Sequence, residues 1–540
     1  MKVTICTLNT QYIHSSLAPF CLLAGLKKYA DKDISAEVIQ GTINENINDF
    51  SQKIIQKKPH AVGLSCYIWN IEKMHQLAYL IKKELPDTTI IMGGPEVSYN
   101  AEAVLRNKNI DYVLSGEGEK SFALLINALN NSNNPQNIPG LCLRDENKIL
   151  VSPPCIYDEE PVSPYTEEYF HALNGKIAYI ETSRGCPYSC AFCLSGRCGK
   201  PRFLDIKKAK QNIELLAKSG TKTIKFVDRT FNANKKHAKE LILFIINKFS
   251  DSGIKFHFEI AGDILDDELI SLFNSAPPGL FQLEIGLQTF NKKTLEQINR
   301  KTNQNKLCHN IKRLSEPRNI HIHIDLIAGL PYEDMESFKN SFNKAFELRP
   351  NMLQLGFLKL LYGSPMRENP QKYPCVFSEN PPYEIINTPW LSEKDISDLR
   401  FTENALNRLY NSGRFSVTIE YILKTKNISP FDLFCSFGKY FPQQASLDEL
   451  SRNFFDFFSD TTESFRDCLV IDRLKTNASG KLPDFLKRPD RRLKSIKTSF
   501  SDTSVKRGYA ILYGKNKAVC AEYVTPDPVT GEYPLTEIPL

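Results

Sequence analysis

Four cysteines lie close together in the stretch SRGCPYSCAFCLSGRCGK, residues 183–200. Cys186, Cys190 and Cys193 are spaced C-x3-C-x2-C, and Cys198 follows them. Structural zinc normally takes four protein ligands, so a zinc site would also need Cys198. A full protein set for a [4Fe–4S] cluster is four thiolates, and a set of three leaves one iron open to a small molecule. The cysteines alone therefore leave zinc, an iron–sulfur cluster and a disulfide open.

The composition favours a reducing compartment for these cysteines. The chain has 540 residues, enough for about three domains, and its 41% hydrophobic content suits ordinary packed cores. No apolar run approaches the roughly 18–20 residues of a membrane span, and the start MKVTICTLNTQYIH lacks the features of a signal peptide. We therefore predict a cytoplasmic protein with no membrane partner. In that setting disulfides are disfavoured, and clustered cysteines indicate a metal or catalytic site.

Charged residues are distributed along the whole chain, and the net charge is small. Its 68 Lys and Arg residues against 62 Asp and Glu give a formal net charge of +6. A local basic excess in FLKRPDRRLKSIK, residues 485–497, could contact nucleic acid or an acidic partner. Such runs are usually solvated faces, so we expect no nucleic-acid partner.

The first 130 residues alternate between strand-like and helical patterns. This alternation predicts an α/β fold with a doubly wound parallel sheet of Rossmann or flavodoxin-like type. Ligands of such sheets bind at the carboxyl ends of the strands. Those ends carry LNTQYIHSS, GLSCYIWN, IMGGPEVS and LSGEGEKS, and two of the four are glycine-rich. We interpret 1–130 as a nucleotide- or cofactor-binding domain and 131–176, with its NNSNNPQNIPG start, as a linker with short strands.

The alternation resumes over 177–370 with six strand–helix units, which predicts a central partial (β/α)6 TIM-like barrel. The active sites of such barrels gather at the carboxyl ends of the strands, and the cysteines follow the first strand directly. Residues 371–540 are expected to form a mainly helical C-terminal domain that ends in a hairpin turning at YGKNK. This last domain carries no motif that we connect to a reaction.

The cysteine spacing, with aromatic Phe192 before the last cysteine, resembles the radical S-adenosylmethionine (SAM) family. Later strand ends agree: IKFVDRTFN resembles a V-D-x-x-F segment, and LEIGLQT resembles E-x-G-L-Q-S with Thr289 in place of Ser. The resemblance implies a [4Fe–4S] cluster on Cys186, Cys190 and Cys193, with Cys198 as a loop residue. It also implies SAM contacts at these positions: Phe192, Asp228, Glu259, Glu284, Gln288 and Leu326.

A doubly wound domain ahead of such a barrel resembles the cobalamin-binding class of this family. The resemblance implies cobalamin contacts in the loops that follow the strands. Many cobalamin domains carry D-x-H-x-x-G after the first strand; NTQYIHSSLAP has His14 but neither the Asp nor the Gly at that spacing. The lower cobalt ligand is thus open, with a helix-start or turn role for His14 as the alternative. The cobalamin candidates are Thr10, His14, Ser65, Gly93, Gly94, Pro95, Glu96, Gly116, Glu117 and Gly118.

The resemblance as a whole implies a cobalamin-dependent radical SAM enzyme with an additional uncharacterised C-terminal domain. We expect reductive cleavage of SAM to a 5′-deoxyadenosyl radical and, with cobalamin as methyl carrier, methylation of an unactivated carbon of an unknown substrate. The required partner is a low-potential electron donor such as flavodoxin or ferredoxin. Two alternatives remain: a cobalamin-dependent rearrangement or cyclisation, and a non-catalytic iron–sulfur carrier or scaffold.

Overall fold

The computed structural model describes residues 1–135, 137–146, 148–442, 444–458, 462–499 and 504–540. Two compact units are formed. The first comprises Met1–Ile260, Gln297–Lys301 and Leu358–Ile386; the second comprises Ala261–Glu296, Thr302–Phe357 and Asn387–Leu540. Within the described ranges, every helix is too short or too polar to cross a bilayer.

The N-terminal part of the first unit is a seven-stranded sheet. Its strands are β1 (Lys2–Asn9), β2 (Ser35–Thr42), β3 (Ala61–Ser65), β4 (Thr89–Gly93), β5 (Tyr112–Leu114), β6 (Leu141–Asp145) and β7 (Lys148–Leu150). Their order across the sheet is β2-β1-β3-β4-β5-β6-β7, with β1 to β5 parallel and β6 and β7 antiparallel. The chain order reverses between β1 and β3, so their carboxyl ends form the topological switch point of the sheet.

Five helices accompany these strands: α1 (Ala18–Tyr29), α2 (Ile47–Ile55), α3 (Ile71–Glu84), α4 (Ala101–Leu105) and α5 (Gly118–Asn130). Every residue of β1 after Lys2 is buried, as expected for a strand covered on both faces. Met74, Leu77 and Ile81 follow helical spacing on α3 and are fully buried in one core with Val62 of β3. The predicted doubly wound sheet is confirmed.

The segment 131–176 packs onto this sheet. Besides β6 and β7 it contains α6 (Glu167–Leu173), whose Tyr169 is 1% exposed. The Tyr169 ring lies edge-on to Phe20 of α1, with ring centroids 5.2 Å apart. The segment therefore contributes two strands and a buried aromatic residue to the N-terminal part of the first unit.

The central strands of the first unit begin the predicted barrel. The elements are β8 (Ala178–Ile180), β9 (Ser183–Arg184), β10 (Arg202–Phe203), α7 (Ile206–Lys218), β11 (Thr223–Phe226), α8 (Lys235–Phe249) and β12 (Lys255–Ile260). Strand β11 pairs in parallel with β8 and with β12, whereas β9 and β10 are antiparallel. Residues 185–201, the cysteine loop, connect β9 to β10. Asp205 and Asn234 cap the N-termini of α7 and α8 with their side chains.

The second unit continues the alternation with α9 (Asp267–Asn274), β13 (Phe281–Gln288), α10 (Lys292–Gln297), α11 (Gln304–Ser315), β14 (His321–Ala328), α12 (Met335–Glu347) and β15 (Met352–Phe357). Strand β14 pairs in parallel with β13 and β15. Six parallel strands with intervening helices thus follow one another along the chain. This is the predicted strand–helix pattern of a partial TIM-like barrel.

The remaining chain is mainly helical, as predicted. It contains α13 (Pro365–Glu368), β16 (Val376–Phe377), β17 (Ile385–Asn387), α14 (Glu393–Leu409), α15 (Ser416–Thr425), α16 (Pro430–Tyr440), α17 (Leu447–Phe458), α18 (Glu463–Thr476), α19 (Arg492–Ser499), β18 (Arg507–Leu512), β19 (Lys517–Glu522) and β20 (Leu535–Pro539). Strands β18 and β19 form the predicted hairpin, and β20 adds a third antiparallel strand to it.

Candidate active site

The cysteine loop starts just beyond the carboxyl end of β8 and is held by backbone hydrogen bonds. The N–H of Cys193 donates to the carbonyl of Cys190 at 3.0 Å, which makes a tight turn between two of the candidate ligands. The N–H of Ala191 donates to the carbonyl of Ile298 at 2.8 Å. Cys190 is buried, and Phe192 is partly exposed. The loop is thus anchored at its middle, where the spacing predicts cluster ligands.

Each of the three sulfur atoms has a polar neighbour. Thr230 Oγ1 lies 3.4 Å from Cys186 Sγ, Ser195 N–H donates to Cys193 Sγ at 3.4 Å, and Arg300 Nη1 donates to Cys190 Sγ at 3.6 Å. Burial raises the pKa of the Cys190 thiol, and the Arg300 guanidinium opposes that rise. N–H donors and a cation favour the thiolate form, which is the form that binds metals. Sequence reasoning missed Arg300, which lies far from the cysteines in the chain.

The arrangement suits an iron–sulfur cluster better than zinc. Tetrahedral zinc with 2.3 Å Zn–S bonds brings its sulfurs to about 3.8 Å from one another. Among the described residues, the group of three potential ligands with atoms within 4.8 Å of one another consists of Glu284, His323 and Asp325, not cysteines. The fourth zinc candidate, Cys198, is exposed, and every cysteine of the chain is free of disulfides. The donor set therefore fits a cluster held by three thiolates.

Asp228, which follows β11, binds the start of the cysteine segment. It is 1% exposed; its Oδ2 accepts the Thr182 N–H at 2.9 Å, and its Oδ1 accepts the hydroxyls of Thr182 at 2.7 Å and Ser183 at 2.5 Å. Burial raises the pKa of Asp228, and these hydrogen bonds oppose the rise. Glu259, on β12, has its Oε2 4.0 Å from Nη1 of Arg229. Both oxygens of Asp228 thus fix the chain just before the cysteines.

Arg184, just before the cysteine loop, pairs with carboxylates at the start of α5. Its Nη2 lies 2.5 Å from Glu119 Oε1, its Nε 2.9 Å from Glu181 Oε2, and its Nη1 3.3 Å from Glu117 Oε2. Glu117 also pairs with Arg202 of β10, so both ends of the cysteine loop reach this carboxylate. Burial raises the pKa of Glu181 to about 7, and Arg184 opposes that rise. Only its place in the SRGC motif, just ahead of Cys186, could have pointed to Arg184 in advance.

The two glycine-rich loops of the sheet require glycine. Gly94 has φ +116°, and a Cβ there would lie 2.5 Å from the carbonyl oxygen of Cys66. Gly116 has φ +90°, and a Cβ there would overlap the backbone of Cys155. The Ser98 hydroxyl links the loops, since it donates to the Gly94 carbonyl at 2.9 Å and accepts the Gly116 N–H at 3.2 Å. The structure therefore brings these predicted cobalamin loops together.

The neighbouring cobalamin candidates differ in exposure. Gly93 is the last residue of β4 and is partly exposed, Pro95 is exposed, and Gly118 is the first residue of α5. Glu96 is buried, and its Oε1 accepts the hydroxyl of Tyr383 at 2.5 Å. Burial raises the pKa of Glu96, and the hydrogen bond from Tyr383 opposes that rise. Glu96, like Glu117, is thus engaged with a protein group.

The side-chain amide of Asn70 connects the ends of β1 and β3 at the switch point, and sequence reasoning missed this residue. Asn70 is 1% exposed, and its Nδ2 donates to the carbonyls of Leu8 and Ser65, both at 3.1 Å. Ser65 ends β3 and is buried, whereas Thr10, beyond β1, is partly exposed. Asn70 therefore holds the two strand ends at the place where ligands of such sheets bind.

His14 lies across from the first barrel strand. Its Nδ1 is 2.7 Å from the hydroxyl of Tyr179 on β8, and its backbone forms a bridge with Ile177. Burial and then the positive charge of Lys225 lower the pKa of His14. With Nδ1 used by Tyr179, Nε2 is the ring atom that can serve as a ligand, and ligation of cobalt by His14 stays a prediction.

The second unit gathers a separate set of predicted SAM contacts. Glu284 on β13 and His323 on β14 are paired in register, and with Asp325 their ligand atoms lie within 4.8 Å of one another. His323 Nε2 is 3.0 Å from Asp325 Oδ1. Gln288 has φ +72° next to a register shift and pairs with Leu326. The alternation in HIHIDLI is the signal that could have placed both His323 and Asp325 on the face of Glu284.

Comparisons with known families match three successive parts of the chain. Residues 4–126 match the B12 binding domain, and residues 180–345 match the radical SAM superfamily. Residues 371–510 match a family described as a protein of unknown function (DUF4080). The first two matches coincide with the N-terminal sheet and with the cysteine loop and the strands that follow it.

Individual proteins support the same relationship. The 2-(S-pantetheinyl)-carbapenam-3-carboxylate methyltransferase of Streptantibioticus cattleyicolor is 25% identical over 316 residues, which are 54% of this chain and 45% of that protein. An anaerobic magnesium-protoporphyrin IX monomethyl ester cyclase of Rubrivivax gelatinosus is 26% identical over 329 residues, 56% of this chain and 58% of that protein. The chain spans about half the length of the curated relatives it matches.

Among solved structures, the cobalamin-dependent SAM radical enzyme OxsB, with aqua-cobalamin and SAM bound, superposes with a TM-score of 0.61 at 15% identity. That match covers 93% of this chain and 84% of the other, and at this identity it is a likeness of fold. It agrees with the sheet and strand–helix pattern described above. The chain therefore contains, in this order, a region that matches the B12 binding domain, a region that matches the radical SAM superfamily and a region that matches DUF4080.

Proposed function

We propose that the protein cleaves SAM reductively and, with cobalamin, methylates an unactivated carbon of a substrate that is still to be identified. The observation that carries this proposal is the set of ion pairs that Arg184 forms with Glu117, Glu119 and Glu181. Arg184 lies two residues before Cys186 and is bonded to Glu117, which adjoins the glycine-rich Gly116 turn. One side chain thus couples the candidate cluster loop to a candidate cobalamin loop.

The proposal assigns the cluster to Cys186, Cys190 and Cys193, whose donor set fits it. When bound, a [4Fe–4S] cluster supplies the single electron for SAM cleavage, and cobalamin supplies a methyl carrier. The proposed domains are a cobalamin-binding domain (1–130), a linker (131–176) that adds β6 and β7 to the sheet of that domain, a radical SAM barrel (177–370) and a C-terminal domain (371–540) of unassigned role.

The chain's own residues hold these groups and exclude competing reactions. Asp228 positions the peptide before the cysteines, and Arg300 stabilises negative charge at Cys190 Sγ. Gly94 and Gly116 let their loops pack closely against the backbone of Cys66 and Cys155, which fixes the shape of the strand ends where cobalamin would bind. In the second unit, the carboxylates of Glu284 and Asp325 are acceptors suited to the amino group of SAM. The Asp325 contact orients the His323 ring.

The proposed partners are an unidentified substrate and a low-potential electron donor of the flavodoxin or ferredoxin class. Cys186 and Cys193 are partly exposed, so a cluster held by them is sensitive to oxidation, and we propose that the enzyme works in the reducing cytoplasm. A second candidate reaction, radical cyclisation or rearrangement without methyl transfer, is favoured by the likeness to the Rubrivivax gelatinosus cyclase.

An anaerobic assay tests the proposal. Protein reconstituted with iron, sulfide and cobalamin is incubated with SAM and dithionite, and iron content and 5′-deoxyadenosine are measured. We expect about four irons per chain and 5′-deoxyadenosine from the wild type, with loss of both in Cys190→Ala. Cys198→Ala is the matched control, since Cys198 is exposed and outside the motif, and it should behave like the wild type.

The outcomes separate the candidates. Failure of the wild-type protein to take up iron would overturn the family chemistry altogether. Iron uptake with equal 5′-deoxyadenosine from Cys190→Ala would overturn the assignment of the three ligands. With labelled SAM, transfer of the methyl label to cobalamin supports methylation, whereas a cobalamin that stays unlabelled supports the cyclisation alternative.

A further inference from the structure

An open groove of about 640 Å³ lies beside the cysteine loop. Pro187, the residue after Cys186, lines it, together with Phe203 of β10 and three lysines: Lys200, Lys235 and Lys236. The groove therefore begins one residue away from the first proposed cluster ligand. No residue of the groove has a role in the assignments above.

The groove has a strongly positive character. Lys200, Lys235 and Lys236 are exposed, and among the described residues that line the groove there is no carboxylate. Lys235 and Lys236 also occupy the first turn of α8, which contains no acidic residue. A helix N-terminus carries a partial positive charge, so lysines there are unfavourable for the helix and add to the local positive potential. Lys236 also interacts with Glu240, one turn along α8, whose pKa is lowered by Lys210 and, less strongly, by Lys236. The lysines that line the groove attract an anionic partner.

The groove is continuous with the surroundings of the cluster ligands. Thr230, whose hydroxyl lies 3.4 Å from Cys186 Sγ, precedes a short turn that leads into Asn234 and α8. On the other side, Lys200 belongs to the cysteine loop itself. The positive groove is thus built from the two segments that flank Cys186, one of them part of the cysteine loop and the other in contact with the sulfur through Thr230.

We propose that this groove is the docking surface for a small acidic one-electron donor protein of the flavodoxin or ferredoxin class. This inference rests on the proposed function, because SAM cleavage consumes one electron. In the docked complex the reduced cofactor of the donor loses one electron, and the cluster held by the three cysteines gains it. No proton or other group is transferred in this step.

Two features favour a protein over a small anion. The lysines are exposed around an open groove and do not converge in a buried pocket, so they match a spread of surface carboxylates. Pro187 and Phe203 line the same groove and add apolar surface, which protein–protein interfaces usually contain. Complementary charges of this kind mainly raise the association rate, and that effect weakens as salt is added.

The test uses full-length, cluster-loaded protein and flavodoxin as the probe. The groove variant is K200E/K235E/K236E. The matched control, R491E/K494E/K497E, makes the same change in charge on exposed residues of the C-terminal domain. Two quantities are measured at low and high salt: the Kd for oxidised flavodoxin and the rate constant of cluster reduction by flavodoxin hydroquinone. In parallel, 5′-deoxyadenosine formation is driven by dithionite with methyl viologen, which bypasses the docking surface.

We expect the groove variant to bind flavodoxin at least ten-fold more weakly and to be reduced at least ten-fold more slowly at low salt. The control variant and the dithionite-driven reaction should match the wild type. Unchanged binding and reduction in the groove variant, or equal losses in both variants, would overturn the proposed surface. Absence of 5′-deoxyadenosine from wild type with dithionite would instead count against the proposed function, so the two failures are distinguishable.

Discussion

Asp228→Ala should destabilise Thr182 and Ser183, which lie just before the cysteine loop. The carboxylate accepts hydrogen bonds from one backbone N–H and two hydroxyls, all on Thr182 and Ser183, which are themselves buried. A buried donor without a partner costs about 1–3 kcal/mol. Two effects reduce this cost. The hydroxyls can turn towards other acceptors, and the variant no longer buries a carboxylate, whose burial is unfavourable, as its raised pKa indicates. We therefore expect the free energy of unfolding to fall by about 3 kcal/mol.

Asp228→Asn separates positioning from charge. The Asn side chain keeps one oxygen to accept the Thr182 N–H, and its amide can donate to the hydroxyls, so the expected loss is only about 1 kcal/mol. Urea unfolding measures the stability, and the iron content after anaerobic reconstitution measures the integrity of the cysteine loop. We expect the iron content to fall in Asp228→Ala and to be retained in Asp228→Asn.

A different result would refute this reasoning. If Asp228→Ala unfolds like the wild type and keeps its iron, the three hydrogen bonds do not hold the loop. If Asp228→Asn keeps its stability and iron but loses affinity for SAM, the carboxylate acts on the ligand, as the family resemblance implies. The SAM affinity of both variants, measured by isothermal titration, distinguishes these cases.

Three further predictions concern other parts of the fold. Arg184→Ala leaves partly buried carboxylates without their cation, so the free energy of unfolding, measured in urea, should fall by roughly 3–5 kcal/mol. Arg184→Lys should be closer to the wild type. Equal stability of the wild type and both variants would contradict this. Gly94→Ala, at φ +116°, should cost roughly 1–3 kcal/mol and reduce bound cobalamin. Gly93→Ala, with its nearest atom 3.5 Å from the added Cβ, should leave the free energy of unfolding unchanged. Burial raises the pKa of Glu333 from 4.5 to about 7, so the folded state holds a proton that the unfolded state has lost. Stability from this group is therefore present at low pH and falls by about 2.5 kcal/mol between pH 5 and pH 8, and Glu333→Gln should remove that part of the pH dependence in urea titrations.

The sequence by itself was sufficient for the order of the parts. Strand and helix periodicity is a local property, so the alternation over 1–130 and 177–370 predicted the parallel sheets before any contact was known. The C-x3-C-x2-C spacing needed no tertiary information either, because its three candidate ligands lie within one short loop. The hairpin turning at YGKNK was predicted for the same reason.

Only the tertiary structure decided which side chains support these elements. Arg184 meets Glu117 and Glu119 at the start of α5, and Arg300 reaches Cys190 from more than a hundred residues away. Asp228 was predicted as a ligand contact, yet its oxygens bind Thr182 and Ser183. Such pairings depend on how distant segments fold against each other, and neither periodicity nor spacing within one segment records that. A local pattern therefore identified the candidate ligands, whereas long-range packing set the charges and hydrogen bonds around them.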